Sequence, residues 1–152
     1  MNLPSFLDDE GVRYRISRHS EAYTSQELAQ VEHVSGKNIV KPVIVRADNQ
    51  FVMCALPANY KVDLNELRGQ LRCDDVKLAD ERQLAELFPD CEIGAEPPIG
   101  RLWGLPTLMD ESLTADDMVT FQAGTHCDAV TMSLAEYRRI AQPEIAHFGR
   151  QM

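Results

Sequence analysis

Ile39-Val40-Lys41-Pro42-Val43-Ile44-Val45 is the stretch that most limits what this chain can fold into. β-branched side chains lose freedom in a helix and suit a pleated surface, so Ile39 to Arg46 predicts a strand buried on both faces. Ala47-Asp48-Asn49-Gln50 supplies turn residues, and Phe51 to Leu56 predicts the returning strand, which Pro57 ends. An apolar hairpin of this kind has to be covered by other elements, and the flanking sequence offers them.

Thr24-Ser25-Gln26-Glu27 has capping-box spacing, and Leu28 and Val31 follow at helical intervals. A helix over about Thr24 to His33 is expected, closed by Gly36. Asp63, with Glu66 three residues on, caps a second helix through Leu71 whose Leu64, Leu67 and Leu71 share one side. Val76-Lys77-Leu78 reads as a short strand, and Asp80 to Phe88 as a third helix with Leu84 and Leu87 inward. Cys91 to Pro106 holds three glycines and three prolines and excludes a regular element. Thr107 to Met109, Met118 to Phe121 and Cys127 to Met132 predict short strands, and Ser133 caps a last helix that Pro143 ends or bends. Strands and helices alternate without a strict βαβ rhythm. The expected fold is α/β: a single domain over residues 1–152, with a central mixed sheet surrounded by helices.

The net charge of −9 excludes a long basic stripe, because neutralising phosphates supplies most non-specific affinity for a nucleic-acid backbone. DNA is not an expected partner; if RNA is handled, a single-stranded end read by a few cations fits better. No apolar run is long enough for a bilayer, and Met1 to Gly11 lacks the basic-then-apolar order of a signal peptide, so a cytoplasmic address away from membranes is expected. Cys54, Cys73, Cys91 and Cys127 form no C-x-x-C pair and match no zinc module. Neither metal nor cofactor is expected.

Standard catalytic signatures are absent. Gly36-Lys37 lacks the upstream glycine of a Walker loop, and there is no G-x-G-x-x-G, G-x-S-x-G or H-E-x-x-H. His126-Cys127 would place the two side chains on opposite strand faces, which weakens a direct nucleophile–base pair. Two features stand out. Lys41 sits inside the apolar run, either facing inward at a ligand or snorkelling from the strand's edge. Gly94-Ala95-Glu96-Pro97-Pro98-Ile99-Gly100 is either a rigid ligand-binding loop or an ordinary surface connection.

Their order along the chain resembles the YbaK/prolyl-tRNA-synthetase-associated domain family. The likeness runs from His19 to Ile140: through His19 to Ala29, Gly36 to Val45, Ala55-Leu56-Pro57, Val62-Asp63-Leu64, Val76 to Ala79, the Gly94–Gly100 loop, and Phe121 to His126. It implies hydrolysis of the ester of a mischarged aminoacyl-tRNA, commonly tRNA for proline. With no synthetase attached, the action is expected in trans. The 3′ end of the mischarged tRNA is the implied partner, with an aminoacyl-tRNA synthetase as a second candidate. The lysine at Lys41 is a principal functional residue of the family, Gly94 to Pro98 match its G-x-x-x-P loop, and Gly124 and His126 match a later glycine and histidine.

On this reading Lys41, Gly94, Pro98 and His126 form the catalytic set. Lys41 holds a phosphate or ribose oxygen, the loop backbone positions a water or the carbonyl, and His126 donates a hydrogen bond, shuttles a proton, or is structural. Tyr23, Thr24, Ile44, Pro97, Ile99, Gly100, Gly124 and Thr125 are the expected substrate contacts. Editing by a second, smaller pocket makes alanine, cysteine or serine esters the natural candidates. Pro42, Glu96 and Ile99 depart from the family pattern and leave the substrate's size and polarity open. Two other readings stand beside it: a binding module without turnover, and a thiol-dependent hydrolase using Cys127 or Cys54.

Overall fold

The structure is a computed structural model that describes residues 1–152. In chain order its elements begin with α1 (Leu3–Asp9), β1 (Tyr14–Arg18) and α2 (Ser25–Val31), followed by the hairpin β2 (Val40–Ala47) and β3 (Gln50–Pro57). Next come β4 (Tyr60–Val62), α3 (Leu64–Leu71), β5 (Val76–Leu78) and α4 (Glu81–Leu87). After the long irregular segment follow β6 (Thr107–Asp110), β7 (Met118–Gln122), β8 (Asp128–Ser133), α5 (Leu134–Ala141), β9 (Glu144–Ala146) and β10 (Gly149–Gln151). No helix is long and apolar enough to cross a membrane.

The expected hairpin forms with Ala47 opposite Gln50, and Asp48 takes a left-handed φ of 52° in the two-residue turn. Its carboxylate accepts the Asp74 and Asp75 amides at 3.1 and 3.0 Å, tying the turn to the approach to β5. β2 and β3 lie within a mixed sheet ordered β5-β2-β3-β6-β9. β2 is antiparallel to β3 and β5, whereas the β3–β6 and β6–β9 pairs are parallel. A second sheet, β1-β8-β7, is antiparallel throughout, and β4 pairs separately with β10.

Alternation along β3 splits the core. Cys54 and Leu56 face Leu67 of α3 and Phe148, while Ala55 joins the larger cluster of Leu3, Leu7, Phe121, Val130, Tyr137 and Ile140. The helix starts are those their caps dictate. Thr24, Asp63, Asp80 and Ser133 each accept a first-turn amide, and Asp80 and Gln83 complete a reciprocal capping box. One detail departs from expectation: His126 and Cys127 lie in the turn before β8, so strand alternation does not govern them.

The functional consequence lies at β2. A parallel bridge between Ile39 and Thr120 brings its start against β7, whereas β5 pairs only with Val45 to Ala47. Between these two neighbours, the edge at Lys41 to Val43 has no ladder partner on that side. The sheet forks there, and the fork opens a cleft.

Candidate active site

The segment from Gly94 to Gly100 is held as a fixed loop. Gly94 adopts φ 88°, a conformation L side chains rarely take, and residues 95–100 are buried. The Tyr137 hydroxyl donates to the Pro98 carbonyl at 2.6 Å, and the Gly100 amide donates to Thr107 Oγ1 at 2.9 Å. Gly124 N–H donates to the Ala95 carbonyl at 2.8 Å, and Glu92 N–H donates to the Gly124 carbonyl at 2.9 Å. Gly100 is a close-approach position, since a Cβ there would lie 2.5 Å from Thr107 Oγ1 and 2.6 Å from the Leu105 carbonyl.

These bonds leave few free backbone groups. The amides of Gly94, Ala95, Ile99 and Gly100 all donate within the protein, and the two prolines have none to give. Glu96 N–H is the remaining amide without a partner in another residue, and the Gly94 and Glu96 carbonyls accept no bond from one. The chemistry available to the loop backbone is therefore concentrated at Gly94 and Glu96.

His126 braces this loop. Its Nε2 lies 2.9 Å from the Ile93 carbonyl and its Nδ1 3.2 Å from the Ala22 carbonyl, which also accepts the Gln122 amide at 2.9 Å. Both ring nitrogens are thus turned to backbone carbonyls, a position for orienting the loop rather than for relaying a proton. The exposed Tyr23 ring lies 4.8 Å from the imidazole, centroid to centroid, and the His126 amide donates to Glu92 Oε1 at 2.6 Å.

A cleft of about 200 Å³ runs between β2, β5, α4 and the loop, lined by Pro42, Ile44, Leu78, Leu84, Gly94 and Glu96 among others. Lys41 is not one of its lining residues. It is half-buried, its side chain leaves β2 on the Leu56 face opposite Pro42 and Ile44, and Nζ donates to the Ala58 carbonyl at 3.1 Å. Burial lowers its pKa, and no carboxylate beside it offsets that cost. Gln26 Nε2 of α2 donates to the same carbonyl at 3.2 Å. Lys41 and the loop are therefore joined through the segment from Ala22 to Gln26, which touches Ala58 at one end and His126 at the other.

Other expected contacts lie deeper or serve the fold. Ile99 is fully buried against Val40, Ala55 and Met109 and does not line the cleft. Pro97 is buried in the loop, Thr24 caps α2, and Thr125 donates to Asp128 at 2.6 Å. The thiol of Cys54 is pushed up to about 12, chiefly by burial, as is that of Cys91, which disfavours the reactive thiolate at either. Sequence reasoning missed the contributions of Tyr137 and Glu92, and read Glu96 only as a departure from a pattern. A larger hollow of about 640 Å³ around Asp110 and His147 contains neither Lys41 nor the loop.

A forked mixed sheet, a glycine–proline loop fixed at its open edge and a half-buried lysine on the strand at that edge define a class. The chain belongs to the aminoacyl-tRNA editing domain family, whose model matches residues 19–140. It is 29% identical over 153 residues to the multifunctional Ser/Thr-tRNA deacylase ProXp-y of Escherichia coli (strain K12), covering 97% of this chain and 91% of that protein. It is 28% identical over 105 residues to the proline–tRNA ligase of Leuconostoc citreum (strain KM20), covering 69% of this chain but 18% of the ligase. Among solved structures it is similar to hypothetical protein APE2540, with a TM-score of 0.89 at 19% identity over 99% of this chain and 100% of that one. It is likewise similar to a candidate trans-editing enzyme for prolyl-tRNA synthetase, with a TM-score of 0.84 at 20% identity over 98% and 95% of the two chains.

Proposed function

We propose that this protein hydrolyses the ester between a small amino acid and the 3′ end of a mischarged tRNA, acting in trans, with the cleft between β2 and the Gly94–Gly100 loop as its site. The observation that carries this reading is the pairing of a rigid loop, its free backbone groups gathered at Gly94 and Glu96, with a half-buried lysine that lacks an acidic partner. Membership of the editing family and the likeness to a Ser/Thr-tRNA deacylase over nearly its whole length support the reaction class.

An aminoacyl ester is already activated, so positioning carries most of the catalysis. The Gly94 and Glu96 carbonyls accept hydrogen bonds from an attacking water, whose proton passes to the departing ribose oxygen as the ester C–O bond breaks. Lys41, a compact cation, takes a phosphate or ribose oxygen of the terminal nucleotide, and a phosphate there relieves the cost of its burial. His126 holds the Ile93 carbonyl at the start of the loop against the Ala22 carbonyl. The exposed face of Tyr23 suits stacking of the terminal base. A cleft of about 200 Å³ favours a small acyl group. The acidic surface gives little grip on a tRNA body, so a synthetase that already holds the tRNA is the fitting partner.

The test is hydrolysis of a panel of tRNAs carrying serine, alanine, cysteine, threonine and proline, including mischarged tRNA for proline. Small mischarged esters are expected to be cleaved well above the blank and correctly charged prolyl-tRNA spared. Binding of a non-hydrolysable aminoacyl-adenosine with no turnover of any ester would assign the cleft to a binding module instead.

A further inference from the structure

Glu96 is the group in the cleft whose side chain the mechanism above does not use. It is 3% exposed, yet it lines the same cleft as Gly94, opposite the apolar surfaces of Pro42, Ile44, Leu78 and Leu84. Its Oε1 accepts the Gly94 amide at 3.1 Å, which holds the carboxylate at the loop's mouth, and none of the protein's ion pairs includes it. Burial raises its pKa against the smaller opposing pull of its own amide, the Gly94 amide and His126. A carboxylate taken out of water needs a cation and donors to stay charged. Here the protein supplies one firm donor and no ion-paired cation.

The substrate of the reaction proposed above carries the missing charge. Every aminoacyl ester has an α-ammonium on the carbon next to its scissile carbonyl, whatever its side chain. We propose that Glu96 receives this α-ammonium and thereby makes the enzyme demand a free amine, rejecting esters whose amine is acylated, as in peptidyl-tRNA. The inference rests on the deacylase reading and adds to it a substrate class. With the ammonium at the Glu96 carboxylate, the adjacent carbonyl falls beside the free backbone groups of Gly94 and Glu96. A proofreading hydrolase acting in trans gains from such a requirement, since cleaving a growing peptide from its tRNA is a costly error.

The test compares seryl-tRNA with N-acetyl-seryl-tRNA in single-turnover deacylation by wild type, Glu96→Gln and Glu96→Ala. Glu96→Gln keeps an oxygen for the Gly94 amide and removes only the charge. Wild type should prefer the free amine by at least about 30-fold, the effect of losing one partner of a buried charge pair, and Glu96→Gln should bring that ratio close to one. Equal cleavage of both esters by wild type, or an unchanged ratio in Glu96→Gln, overturns the assignment. A changed serine-to-alanine preference with an unchanged acetyl ratio also overturns it, because Glu96 then reads the side chain. Calorimetric titration with a 3′-serylamino-3′-deoxyadenosine, free or N-acetylated, gives a readout without turnover. Wild type binding only the free-amine form while Glu96→Gln binds both alike supports the role of Glu96 even if no ester is cleaved, which separates this inference from the deacylase reading. Equal binding of both forms contradicts it whether or not the variants fold.

Discussion

Replacing Tyr137 by Phe isolates one bond on which the loop's placement depends. The phenol is fully buried, and its hydroxyl donates to the Pro98 carbonyl at 2.6 Å across 39 residues of sequence. Burial pushes its pKa upward, so it remains a protonated donor at any working pH. Phe keeps the ring and its tilted contact with Phe121, whose centroid is 6.0 Å away, and removes only the donor. The Pro98 carbonyl is then left inside the protein with no other donor, at a cost of about 1–3 kcal/mol. For a chain of this size each kcal/mol moves the melting temperature by about 2–4 °C, so a fall of about 2–12 °C is expected by differential scanning calorimetry. Pro98 closes the G-x-x-x-P loop, so deacylation should fall more than in a variant of equal stability loss elsewhere. Ile145→Ala on exposed β9 and Leu64→Ala on α3 bracket the range as controls. A melting temperature within about 1 °C of wild type, with unchanged activity, would refute the view that this bond fixes the loop.

Three further outcomes follow from individual contacts. Lys41→Met should slow deacylation yet raise the melting temperature, because it removes a half-buried charge with no acidic partner while Gln26 still donates to the Ala58 carbonyl; a lower melting temperature would show that the lysine stabilises the fold. Gly100→Ala should lose about 1–3 kcal/mol in urea unfolding at unchanged m-value, since the new Cβ meets the Leu105 carbonyl and Thr107 at fixed positions. Asp110 is buried, which alone would raise its pKa, but donors from Ser112, Phe148 and Gly149 outweigh burial and hold it below its ordinary 3.8. Its contribution is therefore present above pH 3.8 and lost as pH falls through the lower folded value. Asp110→Asn should destabilise at neutral pH and flatten that acid limb, measured as urea midpoints against pH.

The elements that carry their own signals were legible in the sequence. The β2–β3 hairpin follows from its β-branched run, and α2, α3, α4 and α5 start where Thr24, Asp63, Asp80 and Ser133 accept first-turn amides. Several short elements were not. β1 is read poorly because Arg15, Ser17 and Arg18 surround a single aliphatic, Ile16, which is itself exposed. β4, β9 and β10 are three residues each and exist because β10, β6 and β4 offer them partners, a tertiary effect that local propensity cannot announce. Helix α1 did leave a trace, with Leu3 and Leu7 one turn apart behind the cap of Asn2.

At the candidate site, Lys41 and the Gly94 loop were visible as an odd residue in an apolar run and an odd composition. Their joining through Ala22 to Gln26 was not, because it depends on carbonyls of Ala22, Ala58 and Ile93 that no side-chain pattern encodes. Tyr137 likewise looked like one aromatic on a helix face. Glu96 was visible only as a substitution; the cleft around it gives it a use.

Single-turnover release of serine from mischarged tRNA for proline, measured in parallel for wild type, Lys41→Ala and Gly94→Ala, bears most directly on the site. Wild type should release serine rapidly, Lys41→Ala should bind more weakly and release slowly, and Gly94→Ala should keep much of its affinity while losing rate, since a side chain at φ 88° distorts the loop. All three releasing serine at the same rate would move the active site away from the fork in β2.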